Sequence, residues 1–327
     1  MNILVTGGAG YVGSACLRLL IAEGHNAIAY DNLVEGHENA IGKAHLIVGD
    51  IADTDLLTQS LIDYEIDAVM HFAAATYVGE SVTNPEYHYR NNIGGTLSLL
   101  NSMRKAGVKR LLFSSTCATY GMNPVCPMAE DATQDPCSPY ARTKLAIEWM
   151  IKDFSVAYGL GYTLLRYFNA AGASPDGQYG EYHNPETHLI PLVLDVPLGK
   201  RKDISLFGTD YPTADGTCIR DYVHIDDLAS AHLLAILVTT PETREVYNIG
   251  TGKGVSVFEI LKACESVTNT TIPYEVLARR PGDPPALVAN PQKLLVNLGW
   301  KPKYIDIKHT IATAWKWHSN YPAGYPG

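Results

Sequence analysis

The chain has 327 residues, 46% of them hydrophobic and 18% charged, which is ample for a large buried core in one or two domains. Its formal net charge of −9 argues against broad contact with nucleic acid or an anionic membrane surface, and no apolar run approaches the ~20 residues that a bilayer span needs. Six scattered cysteines without a Cys-x-x-Cys, and dispersed histidines without a His-Glu-x-x-His, predict free thiols, no metal site and a cytoplasmic protein.

Residues 2–6 read as a strand, and nothing there resembles a signal peptide. Gly7-Gly8-Ala9-Gly10-Tyr11-Val12-Gly13 follows, then a helical pattern through Ala22 with Leu17, Leu20 and Ile21 on its buried stripe. A second strand from Asn26 to Tyr30 closes on Asp31. This is strand, glycine turn, helix, strand, acid. The glycines permit a tight turn and close approach of backbone to a pyrophosphate. The helix N-terminus offers N–H groups to the phosphate oxygens, and the acid can hold a ribose hydroxyl. Residues 32–38 contain no Lys or Arg to meet a 2′-phosphate, so NAD is favoured over NADP.

The alternation continues. Ala44 to Val48 reads as a strand ending at Gly49-Asp50-Ile51, and Leu56, Leu57, Leu61 and Ile62 mark a helix. Asp67 to Phe72 is a buried strand, and the small run Ala73-Ala74-Ala75 after it lets a ligand press on the backbone or simply allows close packing. A helix is predicted from near Pro85 to Ala106. It carries Asn91 and Asn92, poor helix formers that suggest a hydrogen-bonding role. Lys109 to Phe113 is the next strand, and Ser114-Ser115-Thr116 lie at its end, where ligands sit in an open parallel sheet.

Ser138 is a good N-cap and Pro139 suits the first helical position, so a helix is predicted over 139–158. Leu145, Ile147, Trp149 and Met150 supply its apolar residues. Tyr140 and Lys144 stand four apart and share one face. An ammonium near a phenol favours the phenolate, so Tyr140 is expected below its reference pKa of about 10 and able to act as a base. Such a pair also arises by chance in many helices, as a surface tyrosine beside a solvated lysine.

Tyr162 to Tyr167 is a further strand, and strands alternating with helices predict an α/β fold with a doubly wound parallel sheet. Residues 170–188 form a long loop rich in Gly, Pro, Tyr, His and Asn, of the kind that is usually functional. Beyond it come a helix at Leu189–Leu198, a strand at Ile204–Phe207, a helix at Asp226–Val238, a strand at Glu245–Ile249, and helices at Val257–Val267 and Ile307–His318. The boundary is placed at Asn169. Residues 1–169 form a dinucleotide-binding Rossmann domain and 170–327 a smaller α/β substrate domain, with a part near 224–252 returning to the first.

The glycine pattern with Asp31, the Ser-Ser-Thr strand end and Tyr140-x-x-x-Lys144 together resemble an extended short-chain dehydrogenase/reductase. Three further stretches narrow the resemblance to the UDP-glucose (UDP-galactose) 4-epimerases: Arg166-Tyr167-Phe168-Asn169, the run from Leu206 to His224, and Arg279-Arg280-Pro281-Gly282-Asp283-Pro284. The likeness extends over essentially the whole chain. It implies C4 inversion of a UDP-sugar through a transient 4-keto sugar. Tyr140 takes the proton of the 4-hydroxyl, Thr116 hydrogen-bonds the 4-oxygen, and Lys144 holds the nicotinamide ribose. Hydride is held on NAD and returned to the other face.

The resemblance further implies an NAD site of Gly7, Gly10, Tyr11, Val12, Gly13, Asp31, Asn32, Asp50, Ile51, Phe72, Ala73, Ala74, Asn91, Ser114, Tyr140, Lys144 and Phe168. It implies a UDP-sugar site of Thr116, Tyr140, Asn169, His188, Leu189, Phe207, Arg220, Arg280, Asp283 and Leu287. His224 and Asp226 are expected to be structural. A homodimer pairing through residues 85–106 and 139–158 is implied as well, with neither nucleic acid nor membrane as a partner.

Three positions depart from the pattern. Thr116 stands where many relatives have serine, Thr76 where some have a cofactor-contacting lysine, and Leu287 where some have a tyrosine walling the sugar pocket. The shorter Leu287 suggests tolerance of a bulkier 2-substituent. A 4,6-dehydratase would need an Asp-Glu pair after the threonine, and Cys117-Ala118 stand there instead. Epimerases of UDP-pentoses or UDP-uronates, and a silent NAD-binding regulator, remain as alternatives.

Overall fold

The computed structural model describes residues 1–122, 125–280 and 283–326. In chain order the strands are β1 (Asn2–Thr6), β2 (Asn26–Asp31), β3 (His45–Val48), β4 (Ala68–His71), β5 (Arg110–Thr116), β6 (Gly161–Tyr167), β7 (Asn169–Ala171), β8 (Ile204–Phe207), β9 (Ile219–His224), β10 (Arg244–Ile249), β11 (Gly254–Ser256), β12 (Tyr274–Leu277) and β13 (Ala286–Leu287). The chain divides into two compact units. The first comprises Met1–Thr119, Gln134–Tyr167 and Ala229–Tyr247, and the second Tyr120–Thr133, Phe168–Leu228 and Asn248–Gly327. The division differs from the expected one in placing residues 120–133 with the second unit. That segment is tied there by long-range bonds with no local sequence signal: Asn248 Nδ2 donates to Met128 O at 2.9 Å, and Tyr120 Oη donates to Asn248 Oδ1 at 2.7 Å.

The first unit is built on a seven-stranded sheet in the order β10-β6-β5-β4-β1-β2-β3. The pairs β1–β2, β1–β4, β2–β3, β4–β5 and β5–β6 are all parallel. Strand order reverses between β1 and β4, and in such sheets the crevice at that point, at the carboxyl ends of the strands, takes the ligand. The strands read as near-continuous apolar runs because both faces are covered. Leu4, Ile28, Val69, Leu111 and Leu164 pack in one core with Leu57 and Leu61 of α2 (Thr54–Asp63) and Leu99 and Met103.

The helix preceding β2 is α1 (Tyr11–Ala22). The predicted continuous helix over 85–106 is broken into pieces: after α3 (Val78–Thr83) come α4 (Pro85–His88), a π-helical stretch Tyr89–Gly94 and α5 (Gly95–Ala106). Helix α6 (Pro139–Tyr158) starts as its sequence demands. Ser138 Oγ accepts from Ala141 N, Pro139 occupies the first turn, and Gly159 ends the helix at φ 68°. Its inner face carries Lys144, Leu145, Glu148 and Ile151, whereas Trp149, expected on the apolar stripe, is 58% exposed.

In the second unit β7 pairs in parallel with β9, which is flanked by antiparallel β11 and parallel β13, and β8 pairs in parallel with β12. Helices α7 (Leu189–Leu194), α9 (Val257–Thr268) and α11 (Ile307–Asn320) bring Val193, Leu194, Ile260, Leu261 and Ile311 into its core. Between α7 and α9, α8 (Ile225–Val238) runs from one unit into the other, and α10 (Gln292–Leu298) precedes α11. Helix α9 has a full capping box between Ser256 and Glu259. Among the described residues no helix is long and apolar enough to cross a membrane.

Candidate active site

The residues expected to hold a dinucleotide lie, Phe168 apart, in the first unit, most of them on neighbouring strand ends. Gly7, Gly10, Tyr11, Val12 and Gly13 follow β1, Asp31 and Asn32 end β2, Phe72, Ala73 and Ala74 follow β4, and Ser114 lies near the end of β5. Gly7 has φ +70°, and a Cβ there would fall 2.5 Å from Ala73 N. A Cβ on Gly13 would fall 2.1 Å from Gly7 O, so only glycine closes this turn. The N-cap Gly10 provides no side-chain cap, and α1 has no acidic residue in its first turn. The positive end of the helix is therefore left for an anion. Asp31 is 7% exposed, with Oδ2 accepting from Ala9 N and Oδ1 from Leu33 N, both at 2.9 Å. Burial raises its pKa, and the two backbone N–H groups oppose that rise. Asn32 Nδ2 donates to Asp50 Oδ2 at 2.9 Å, and Ile51 is buried. These residues fit a dinucleotide: a glycine cradle, an uncapped helix N-terminus and a fixed carboxylate twenty residues on.

Thr116, Tyr140 and Lys144 meet in the same unit. Thr116 Oγ1 accepts from Ala118 N at 3.1 Å, and its hydroxyl is also within hydrogen-bonding reach of Tyr140. A hydrogen bond between the two side chains favours the phenolate. Lys144 is 2% exposed; its Nζ donates to Ser114 O at 2.9 Å and lies 4.9 Å from the Phe113 ring centre and 6.0 Å from that of Tyr140. One expectation is corrected here. The Tyr140 pKa is raised, not lowered, because desolvation outweighs the Thr116 hydrogen bond and nearby Tyr167 adds to the rise. The same burial pulls Lys144 down to about 7. Burial thus disfavours the charged form of both side chains.

Several residues support the site from behind: Asn92, for which a hydrogen-bonding role was expected, and Glu148 and His71, which the sequence did not mark. Asn92 is fully buried; its Oδ1 accepts from Ala75 N at 2.7 Å, and its Nδ2 donates to Ala75 O and to Thr143 Oγ1, each at 3.0 Å. Thr143 in turn donates to Tyr140 O at 2.7 Å. Asn92 thus ties the alanine run to the helix bearing the tyrosine, while Asn91, expected at the cofactor, donates to Asn92 Oδ1. Both asparagines lie in the π-helical stretch, a distortion that often marks functional sites. Glu148, one turn beyond Lys144, accepts from Ser115 Oγ at 2.5 Å and from Arg166 Nε and Nη2 at 2.9 and 2.6 Å. It locks β5, β6 and α6 together beside Thr116. Thr96 Oγ1 gives its proton to Asn92 O, so it accepts from His71 Nε2 at 2.9 Å, and His71 Nδ1 accepts from Thr6 Oγ1 at 2.7 Å. Burial and the charge of Lys144 push the His71 pKa down to about 3.

The candidate sugar-nucleotide residues lie in the second unit, except Thr116 and Tyr140. Phe168, an expected cofactor contact, also lies here and donates its N–H to Ile249 O at 3.2 Å. Asn169, His188 and Leu189 line one small cavity of about 30 Å³ together with Glu181 and Tyr222. Arg220 has three N–H groups engaged, by Ile219 O, Pro284 O and Asp283 Oδ1 at 2.8, 3.0 and 2.8 Å. Asp283 is therefore an arginine partner in this structure, beside any role towards a ribose. Arg280 lies over the Phe207 ring at 4.0 Å, a flat cationic surface suited to a phosphate or an aromatic base. Leu287 pairs with Arg220 in the β13–β9 register. Pro281 and Gly282 of the quoted motif fall outside the described residues. His224 Nδ1 accepts from Asp226 N at 3.1 Å, its Nε2 meets Thr313 Oγ1 at 3.0 Å, and its ring stacks on Tyr304 at 3.7 Å.

His188, which lines that cavity, also meets two carboxylates. Its Nδ1 lies 2.9 Å from Glu181 Oε1 and 3.1 Å from Glu186 Oε1, and the two carboxylates push its pKa up to about 10. No metal site was expected, yet Glu181, His183, Glu186 and His188 bring four potential ligand atoms within 4.8 Å of one another.

Residues 3–250 match the model of the NAD dependent epimerase/dehydratase family. The chain is 48% identical over 326 residues to a UDP-glucose 4-epimerase of Halalkalibacterium halodurans, covering 99% of this chain and 98% of that one. It is similar to the crystal structure of UDP-glucose 4-epimerase from Brucella ovis in complex with NAD, at 46% identity and a TM-score of 0.92, over 95% of this chain and 96% of that one. It is also similar to UDP-glucose 4-epimerase from Bifidobacterium longum in complex with NAD+ and UDP, at 37% identity and a TM-score of 0.95, over 99% and 100% of the two chains. Glycine turn, strand order and matched sequence agree: the chain belongs to the NAD-dependent epimerase/dehydratase family.

Proposed function

We propose that the chain is an NAD-dependent UDP-glucose 4-epimerase, interconverting UDP-glucose and UDP-galactose. The observation that carries this reading is the Thr116–Tyr140–Lys144 group on a glycine-turn Rossmann unit, in a chain similar to UDP-glucose 4-epimerases over its whole length. Bound NAD would supply a reversible hydride acceptor for the sugar C4 and, in its oxidised form, a positive charge.

The chain's own residues handle the proton. Tyr140 Oη accepts it from the 4-hydroxyl as C4 is oxidised and returns it as C4 is reduced. Thr116 Oγ1, beside Tyr140, holds the 4-oxygen and phenol in register. Lys144, fixed by Ser114 O, adds a cation beside the phenol and carries N–H groups for a ribose hydroxyl. Gly7, Gly10 and Gly13 admit the pyrophosphate, and Asp31 selects an unphosphorylated ribose. Arg220 and Arg280 supply positive charge for the diphosphate, Asp283 can accept from a ribose hydroxyl, and Asn169 and Leu189 wall a cavity.

A homodimer through the outer face of α6 fits the exposure of Trp149 and Val156, at 58% and 89%, one heptad apart on that helix. Six free cysteines fit a reducing, cytoplasmic setting. A panel of UDP-galactose, UDP-GalNAc, UDP-xylose and UDP-galacturonate, assayed for C4 inversion, tests the reading. Brisk turnover of UDP-galactose supports it, and turnover only of a pentose or uronate overturns it. Leu287, in place of a bulkier wall, favours some turnover of the N-acetyl substrate. Undetectable UDP-GalNAc turnover beside brisk UDP-galactose turnover would sink that part.

A further inference from the structure

We propose that Glu181, His183, Glu186 and His188 form a tetrahedral binding site for one zinc ion, in the loop that leads into α7. Glu181 Oε1 lies 3.4 Å from His183 Nδ1 and 2.9 Å from His188 Nδ1. Glu186 places Oε2 3.5 Å from His183 Nδ1 and Oε1 3.1 Å from His188 Nδ1. Zinc holds nitrogen and carboxylate oxygen at about 2.0–2.1 Å, and a regular tetrahedron with such bonds has edges of about 3.3–3.4 Å. With one oxygen per carboxylate, the spacings of 3.4 and 2.9 Å from Glu181 Oε1 and 3.5 Å from Glu186 Oε2 scatter about that edge, and the four ligand atoms all lie within 4.8 Å of one another. Both imidazoles reach the centre through Nδ1, with ring centres 5.1 Å apart and tilted by 48°, so neither ring stacks on the other.

Charge and burial favour the same occupant. Side-chain exposure is 6% for Glu181, 14% for Glu186, 16% for His183 and 45% for His188, so three ligands are largely shielded and the fourth faces solvent. With neutral imidazoles the group carries two negative charges in a largely dry place, which one dication balances. Balancing them by protons alone would set two imidazolium rings side by side. The ligands are also held from behind, as metal ligands usually are. Glu186 Oε1 accepts from Thr187 N at 2.7 Å and His188 N at 2.8 Å. Glu181 O accepts from the buried Trp317 indole at 3.1 Å. Imidazole with carboxylate in a four-coordinate set suits zinc and not magnesium or calcium, which want six or more oxygens. The site needs no part in the chemistry. Its effect is to fasten residues 181–188, and so the N-cap of α7 and the cavity wall formed by His188 and Leu189.

The test uses the untagged full chain, stripped with a chelator and desalted. It is incubated with Zn2+, or with Mg2+ in a parallel sample, passed through gel filtration and analysed for metal by mass spectrometry. Retention of about one zinc per chain, with no retained magnesium, is expected. His183→Ala, folded by circular dichroism, is expected to retain less than about a tenth of that. Failure of the wild-type chain to retain zinc, or equal retention by His183→Ala, overturns the proposal. Should His183→Ala not fold, the wild-type chain loaded with Co2+ decides the matter. Intense visible d–d bands of four-coordinate cobalt support the site, and the weak bands of six-coordinate cobalt contradict it.

Discussion

Truncating Glu148 tests how the catalytic strand end is held. Its carboxylate is 0% exposed and takes three hydrogen bonds at 2.9 Å or less, two of them from Arg166, whose side chain is 3% exposed. Glu148→Ala leaves a buried guanidinium without its counter-charge and Ser115 without its acceptor. Breaking a buried pair in this way costs roughly 3–5 kcal/mol. With a urea slope of about 3 kcal/mol per molar, the unfolding midpoint should drop by about 1–1.7 M. The double variant Glu148→Leu/Arg166→Met removes both charges and keeps the volume, so it should recover most of the loss. Urea titrations followed by tryptophan fluorescence give the three midpoints. A drop below about 0.3 M in Glu148→Ala, or a double variant no more stable than the single one, would refute the reasoning.

Other substitutions probe the site itself. Tyr140→Phe should cut turnover by roughly 10²–10⁴-fold while leaving the urea midpoint in place, because only the proton carrier is lost; a fully active variant would exclude Tyr140 as the base. Gly13→Ala drives a Cβ to 2.1 Å from Gly7 O, so the protein should lose copurifying nucleotide, read as the absorbance ratio of the purified chain; normal retention would show that the turn can give way. His71 is held neutral, with its pKa lowered to about 3, so the unfolded chain binds a proton there that the folded chain does not. Its contribution is complete above about pH 6.5 and is lost as pH falls towards 3. In His71→Gln the fall of the urea midpoint across that window should be shallower by up to one proton, and identical slopes would contradict the assignment.

What the sequence made legible was local chemistry. The glycine turn and the cap of α6 are decided within a few residues, and the structure has both where the sequence put them. The break in the helix over 85–106 was not readable from propensity, although the two asparagines marked the spot. Glu148 and His71 act through partners such as Arg166, Ser115 and Thr6, 18, 33 and 65 positions away, so no spacing rule reveals them. The Tyr140 expectation failed for a related reason. The sequence showed the neighbouring charge but not the depth of burial, and burial decides the sign. The cluster at 181–188 was hidden because its spacing, Glu-x-His-x-x-Glu-x-His, fits neither a helical pair nor a common finger, and only the loop's path makes the four meet.

The most direct measurement follows UDP-galactose with the purified protein in D2O by proton NMR, with no nicotinamide added. The account predicts conversion to an equilibrium mixture with UDP-glucose, with no deuterium at C4 in either sugar, because the C4 hydrogen leaves and returns without meeting solvent. Deuterium at C4, a product altered at C5 or C6, or no conversion in a protein that holds its nucleotide would contradict it.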